Sequence, residues 1–102
     1  MIIAWVYILT NANHTVLYIG LTIDLATRVW EHRTKQNKKS FTAKYNVDKL
    51  IYFEEFQEIE AARKREIFLK KKTLKWKIDL INQLNPSWTE LNPNVSRLSQ
   101  IY

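Results

Sequence analysis

Ala4-Trp5-Val6-Tyr7-Ile8-Leu9-Thr10 and Val16-Leu17-Tyr18-Ile19-Gly20-Leu21 are two runs rich in β-branched and aromatic residues, separated by the largely polar Asn11-Ala12-Asn13-His14-Thr15. Side chains of these types favour extended backbone, and a separator of this length closes a β-hairpin. Gly20 is the only glycine in the chain. Inside a strand pattern it marks either a strand end or a place where the backbone bulges or is approached closely. The hairpin sets Tyr7 and Tyr18 on adjacent strands, where each is either core packing with a tethered hydroxyl or part of a site.

Working outward, Thr22 or Asp24 can cap a helix over residues 24–34, with Leu25, Val29 and His32 on one side. Residues 34–42 are polar and basic, with Lys35, Lys38 and Lys39 and no acid, and read as a solvated loop. Residues 49–56 form a third strand whose apolar run buries its start and whose acids expose its end. A helix over 58–72 puts Ile59, Ala62, Glu66 and Leu69 on one face, and a helix over 75–84 aligns Trp76, Leu80 and Leu84. Asn85-Pro86 stops that helix, since a residue before proline disfavours helical geometry. Trp88 folds back as an anchor. The order β-β-α-β-α-α, without repeat or linker, is an α+β (α/β) layout of one small sheet flanked by helices. Residues 1–90 make one domain, and 91–102 a tail without periodicity.

Of 102 residues, 46% are hydrophobic and only three are Gly or Pro, which is an ordered, core-forming composition. The absence of cysteine excludes disulfides and thiolate metal sites. Met1 to Leu9 is too short an apolar run to span a bilayer and lacks the basic start of a signal peptide, so a cytoplasmic location without membrane association is expected. The net charge of +6 suits a polyanionic partner. It is concentrated in Arg33, Lys35, Lys38, Lys39 and Lys44, and in eight cations within 63–77 against the single acid Glu66. Two such stretches either flank a phosphate backbone or are plain solvated surfaces.

Glu66 shares the line of Ala62 and Leu69, so it faces inward or into a cleft, where a carboxylate needs a partner. That partner is either Lys70 or Arg63, or a hard divalent cation such as Mg²⁺. Arg28 and His32, four apart on one helix, converge on one spot. They are either surface residues or a guanidinium fork for phosphate beside an imidazole that can move a proton.

Taken together, Trp5-Val6-Tyr7, Tyr18-Ile19-Gly20, Arg28, His32 and Glu66 resemble the GIY-YIG endonuclease superfamily. The likeness continues through Asp24-Leu25, Phe41-Thr42, Lys44-Tyr45, Leu50-Ile51-Tyr52-Phe53, Ala62, Arg65 and Asn85-Pro86-Ser87-Trp88, which look like the short, stand-alone bacterial subfamily classed as endonucleases. Those are relatives of the nuclease domain in the excision-repair incision subunit. The first half-motif departs from the family pattern, with Trp5 and Val6 where glycine and isoleucine are usual.

The resemblance implies a three-stranded antiparallel sheet and a DNA-cleaving enzyme using one Mg²⁺ or Mn²⁺ ion. Carried over position by position, it gives Glu66 to the metal, Arg28 to the scissile phosphate, Tyr7 to water activation and Tyr18 to positioning. His32 matches an active-site histidine of some members, and the base is left open between Tyr7 and His32. A tyrosine serves as base at neutral pH only if cations lower its pKa, which Arg28 and the metal can do. Gly20 and Thr22 would shape the site, with Lys38, Lys39, Lys44 and Lys70 beside them on DNA. The alternatives are a catalytically inactive nucleic-acid-binding module on the same fold and a protein-interaction domain. Either a monomer or a homodimer fits, the latter through exposed aromatics such as Trp30.

Overall fold

In the computed structural model, which describes residues 1–95, strands β1 (Ala4–Thr10), β2 (Leu17–Thr22) and β3 (Lys49–Phe56) form one antiparallel sheet in the order β2-β1-β3. Helices α1 (Leu25–Arg33), α2 (Phe41–Lys44), α3 (Ile59–Lys71) and α4 (Leu74–Leu84) complete it. The part of the sequence-defined tail over 96–102 lies outside the described residues. None of the helices among the described residues is long and apolar enough to cross a membrane.

The hairpin closes through Asn11, whose Oδ1 accepts from Thr15 N at 2.8 Å and Val16 N at 3.2 Å. His14 takes a positive φ of 56° to make the reversal. Alternation along β1 then decides what each face of the sheet carries. Ala4, Val6 and Ile8 point to the face covered by α3 and α4, packing with Ala62, Leu69 and Ile81. Tyr7 and Leu9 point to the opposite face, against Leu25 and Val29 of α1 and Val47. A core on each side makes the central strand almost wholly inaccessible, which is why its sequence is continuously apolar.

A bulge in β3 breaks this alternation. Ile8 pairs with Tyr52 but Leu9 pairs with Leu50, so Ile51 is the extra residue. Ile51 and Tyr52 consequently join the same core, while Leu50 and Phe53 join the other. The carbonyls at the bulge are taken up from outside the sheet: Leu91 N donates to Leu50 O and Asn85 Nδ2 to Ile51 O, both at 2.8 Å. Asn85 also holds Thr89 through two further bonds. The chain after α4 thus covers the β3 edge. Trp88 folds back, its indole N–H donating to Asn82 Oδ1 at 2.6 Å and its ring lying 5.0 Å from that of His14.

Two expectations are corrected. The end of β3 is not exposed at Glu54, which is only 9% accessible. Arg65 forks onto its two oxygens at 2.9 Å each, and Tyr52 donates to it at 2.6 Å, so the charge is compensated in place. Nor does the basic stretch after α1 stay a loop to residue 42. Ser40 caps the single-turn α2 by accepting from Ala43 N, which buries Thr42 and Ala43. A helix of four residues is too short to announce itself by periodicity.

Candidate active site

The site begins with a missing side chain. Tyr7 on β1 is paired with Gly20 on β2, and a Cβ built on Gly20 would lie 2.4 Å from both Cζ and Oη of Tyr7. The phenol therefore lies over bare backbone; of the two readings of Gly20, close approach is the one observed. Gly20 itself is buried, and what it contributes in the structure is space. Tyr18, opposite Leu9, stands diagonally from Tyr7 on the same face, with ring centroids 6.3 Å apart.

Helix α1 brings the next two groups. Asp24 is its cap, accepting from Thr27 N and Thr27 Oγ1, while Thr22 Oγ1 accepts from Asp24 N and fixes the turn that leads in. Val29 and Leu25 anchor the helix, so His32 is pressed inward and is only 6% accessible. Its ring lies 5.9 Å from Tyr7 and 5.5 Å from Tyr18. Nε2 meets the Tyr7 hydroxyl at 3.2 Å and Nδ1 meets Thr42 Oγ1 at 2.9 Å. Arg28, one turn earlier, lies close enough to the Tyr7 hydroxyl for the two to influence each other's ionisation, and pairs with Glu31 at 3.1 Å.

The proton order follows from what each group can do. The nearby guanidinium only donates, so the arrangement that suits all three groups turns the lone pairs of Tyr7 Oη toward Arg28 and its proton toward His32 Nε2. A neutral imidazole then carries its hydrogen on Nδ1 and donates to Thr42, whose hydroxyl is within 3.2 Å of Ser40 Oγ. His32 is held neutral: burial first, and the positive charge of Arg28 second, lower its pKa to about 4. Tyr7 moves the other way. Burial pushes it up to about 12, more than the neighbouring Arg28 pulls it down. Arg28 alone therefore does not bring this phenol into the range of a base at neutral pH; the expectation from sequence counted on the metal as well.

Glu66 enters from α3. Between buried Ala62 and Leu69, its side chain is 19% accessible, and its charge adds to the upward shift of Tyr7. It also pairs with Lys70 at 3.1 Å, so the inward-facing position and the intrahelical partner hold together. Among the described residues no group of three or more His, Cys, Asp and Glu side chains gathers to cage a metal. A single carboxylate nonetheless suits Mg²⁺, which takes one or two carboxylates and keeps water for the rest.

Beside Arg28 and His32 opens a cleft of about 240 Å³, walled by Glu31, Lys35, Gln36, Asn37, Ser40 and Thr42. Lys38 and Lys39 are exposed on the segment that forms this wall, and Lys44 is exposed over the Tyr45 ring at 5.4 Å. The sequence reading missed Glu31, Ser40 and Thr42. A signal for Thr42 existed: a histidine on the buried side of a helix must hydrogen-bond through both nitrogens. The larger hollow, about 550 Å³ between α1 and residues 90–94, is lined by Trp30, Arg33 and Glu90 and shares no residue with the site.

The GIY-YIG catalytic domain, as a family, matches residues 3–79. The chain belongs to the GIY-YIG nuclease family. Within that family it is similar to short UPF0213 proteins. It is 38% identical over 85 residues to one from Pediococcus pentosaceus, covering 83% of this chain and 87% of that protein. With one from Syntrophus aciditrophicus it shares 33% identity over 82 residues, 80% of this chain and 92% of the relative. The solution NMR structure of a UPF0213 protein from Bacillus halodurans superposes with a TM-score of 0.55 at 22% identity, covering 83% and 88% of the two chains. That likeness speaks to the fold. In GIY-YIG terms, Tyr7 and Tyr18-Ile19-Gly20 are the two half-motifs, and they face one another across β1 and β2.

Proposed function

We propose that this chain is a metal-dependent endonuclease that hydrolyses DNA phosphodiester bonds. The observation supporting this reading is the gathering of two phenols, an imidazole and a guanidinium on one face of the β1–β2 hairpin, beside an open cleft, with the Glu66 carboxylate of α3 near enough for its charge to act on Tyr7. Each group answers one requirement of the reaction. Arg28 holds a phosphate oxygen and neutralises charge that grows in the transition state. Tyr18 positions the phosphodiester or water from the side. Lys38, Lys39 and Lys44 meet flanking phosphates.

The Tyr7–His32 pair handles the proton. With a pKa near 12, Tyr7 does not wait as a phenolate. It takes a proton from the attacking water at Oη while handing its own to His32 Nε2, so the phenol is neutral before and after. His32 is available for this because it is neutral at rest. A bound phosphate offsets the Arg28 charge, one of the two influences that depress His32, and so raises its basicity when substrate arrives. Thr42 accepts from Nδ1–H and fixes the tautomer. Glu66 would hold the divalent cation, whose charge, when bound, stabilises the leaving oxygen.

The test is cleavage of plasmid, single-stranded and branched DNA with Mg²⁺ or Mn²⁺. Wild type is expected to cut, and Glu66→Ala to cut at least about a hundredfold more slowly while binding the same DNA. If both bind equally and neither cuts any of these substrates, the chain is a nucleic-acid-binding module that retains the fold alone.

A further inference from the structure

On the flank of α3 turned away from Glu66, the groove between α3 and α4 has an unusual lining. Arg65 and Phe68 of α3 face Trp76, Asp79, Leu80 and Gln83 of α4 across about 420 Å³. Phe68 is 41% accessible, although the core side of its helix is already supplied by Ala62 and Leu69. Its ring meets Trp76 edge-on at 5.6 Å. Cations crowd both rings: Lys72 Nζ is 4.5 Å from the Phe68 centroid and 5.3 Å from that of Trp76, and Arg65 is 5.3 Å from Phe68. The catalytic reading uses none of this.

We propose that this groove is an exosite for unpaired nucleic acid, in which a base stacks on Phe68 beside Trp76 while Lys72 faces the phosphates. The chemistry selects that occupant. An exposed aromatic ring, Phe68, next to a half-buried one, Trp76, and to cations is what an unstacked base and its backbone require, and duplex DNA hides its base faces. Gln83 and Asp79 add an amide and a carboxylate at the groove, groups that hydrogen-bond base edges. A second copy of the chain would bring the same cations, with Lys71, Lys75 and Lys77 around them, against themselves. A membrane takes a protruding apolar face rather than a groove with an amide and a carboxylate in it.

Position supports the proposal as well. Arg65 and Glu66 are consecutive on one helix about 10 Å across, so the groove and the carboxylate lie on two flanks of the same cylinder. Between them α3 presents exposed Arg63, Lys64 and Lys71. A strand held in the groove can cross that basic surface to the catalytic face. The inference deepens the nuclease reading, on which it rests for the choice of polyanion.

The experiment is binding without turnover, in chelator, of a fluorescein-labelled oligodeoxythymidylate and of a duplex of the same length, followed by anisotropy. Phe68→Ala is expected to weaken the single strand about tenfold and the duplex less than about twofold. Phe68→Leu, which keeps apolar volume without a π face, is expected to behave alike, with unchanged circular dichroism showing that the fold is intact. Quenching of tryptophan fluorescence by the oligonucleotide is expected to disappear in Trp76→Phe, which keeps an aromatic ring. Equal weakening of single strand and duplex would reduce the face to general electrostatics and overturn the proposal. So would unaltered binding by both Phe68 variants, a wild-type dimer in sedimentation that Phe68→Ala dissociates, or a preference for phosphatidylserine-containing vesicles. Because no cleavage is read, a catalytically inert protein can still satisfy this test, and Glu66→Gln, expected to lose cleavage, is expected to bind the oligonucleotide as wild type does.

Discussion

Gly20 shows how much of this site depends on an absent methyl group. The 2.4 Å that would separate a Cβ at this position from the Tyr7 phenol is far inside contact distance, and the tyrosine is clamped by His32 on its other side. Gly20→Ala must therefore displace the ring, and both stability and chemistry suffer. Urea unfolding is expected to show a loss of about 1–3 kcal/mol, and cleavage to fall more than about tenfold. Wild-type behaviour in both would mean that the Tyr7 position is not critical. A second pair of residues stabilises without entering the reaction. Glu54 is buried with Arg65 forked onto it, and removing one partner strands a charge. Arg65 is partly exposed, which moderates the cost. Arg65→Met is expected to lose about 2–3 kcal/mol, measured by urea midpoint, and adding Glu54→Met is expected to restore most of it. A double variant as unstable as the single one would show that the lost term is packing instead.

Strands and long helices were legible because hydrophobic period reports them directly: β1, β2, β3, α1, α3 and α4 lie within two residues of where alternation and three-four spacing put them. What escaped reading was set by partners distant in sequence. α2 is one turn fixed by Ser40, and its purpose, offering Thr42 to His32, joins residues ten apart. The bulge at Ile51 leaves no mark in a uniformly apolar run. Glu54 looks like a strand end until Arg65 is seen on the helix packed over it. For the candidate site, the motif residues could be named from the sequence, whereas the neutral His32 and the high Tyr7 pKa are products of burial and could not. Asn85 is the clearest case of half-reading. The sequence shows a helix stop, but the fold makes it a buried junction binding Ile51 O, Thr89 O and Thr89 N. Asn85→Leu keeps the size and removes all three bonds, leaving a bulge carbonyl buried without a donor. A loss of about 2–4 kcal/mol in unfolding free energy is expected. Unchanged stability would show that water replaces the amide.

The charge of the molecule is laid out in two basic regions, partly tempered by pairs such as Lys35–Asp48, Lys70–Glu66 and Lys75–Asp79. Between them sits a histidine that the fold keeps uncharged, and this couples global stability to pH. In the unfolded chain His32 titrates at about 6.5; in the native protein, burial and Arg28 lower it to about 4. Above pH 6.5 neither state binds the proton, and His32 contributes its full share. As pH falls from 6.5 towards 4, the unfolded chain takes up a proton that the native protein refuses, so unfolding is progressively favoured. The accumulated loss approaches about 3 kcal/mol near pH 4 and grows no further below it. Carboxylates also begin to titrate in the lower part of that window, so the comparison needs a reference that lacks only this group. His32→Gln retains hydrogen-bonding capacity and has no proton to gain. Urea midpoints of the two proteins at pH 7 and pH 4.5 are expected to diverge, wild type losing about 2 kcal/mol more than the variant on acidification. The same depressed pKa puts the acid limb of kcat/KM, which reports the free enzyme, well below pH 6.5. If wild type and His32→Gln lose stability in parallel, the folded and unfolded chains bind the His32 proton alike, and the fold does not hold this imidazole below its ordinary pKa.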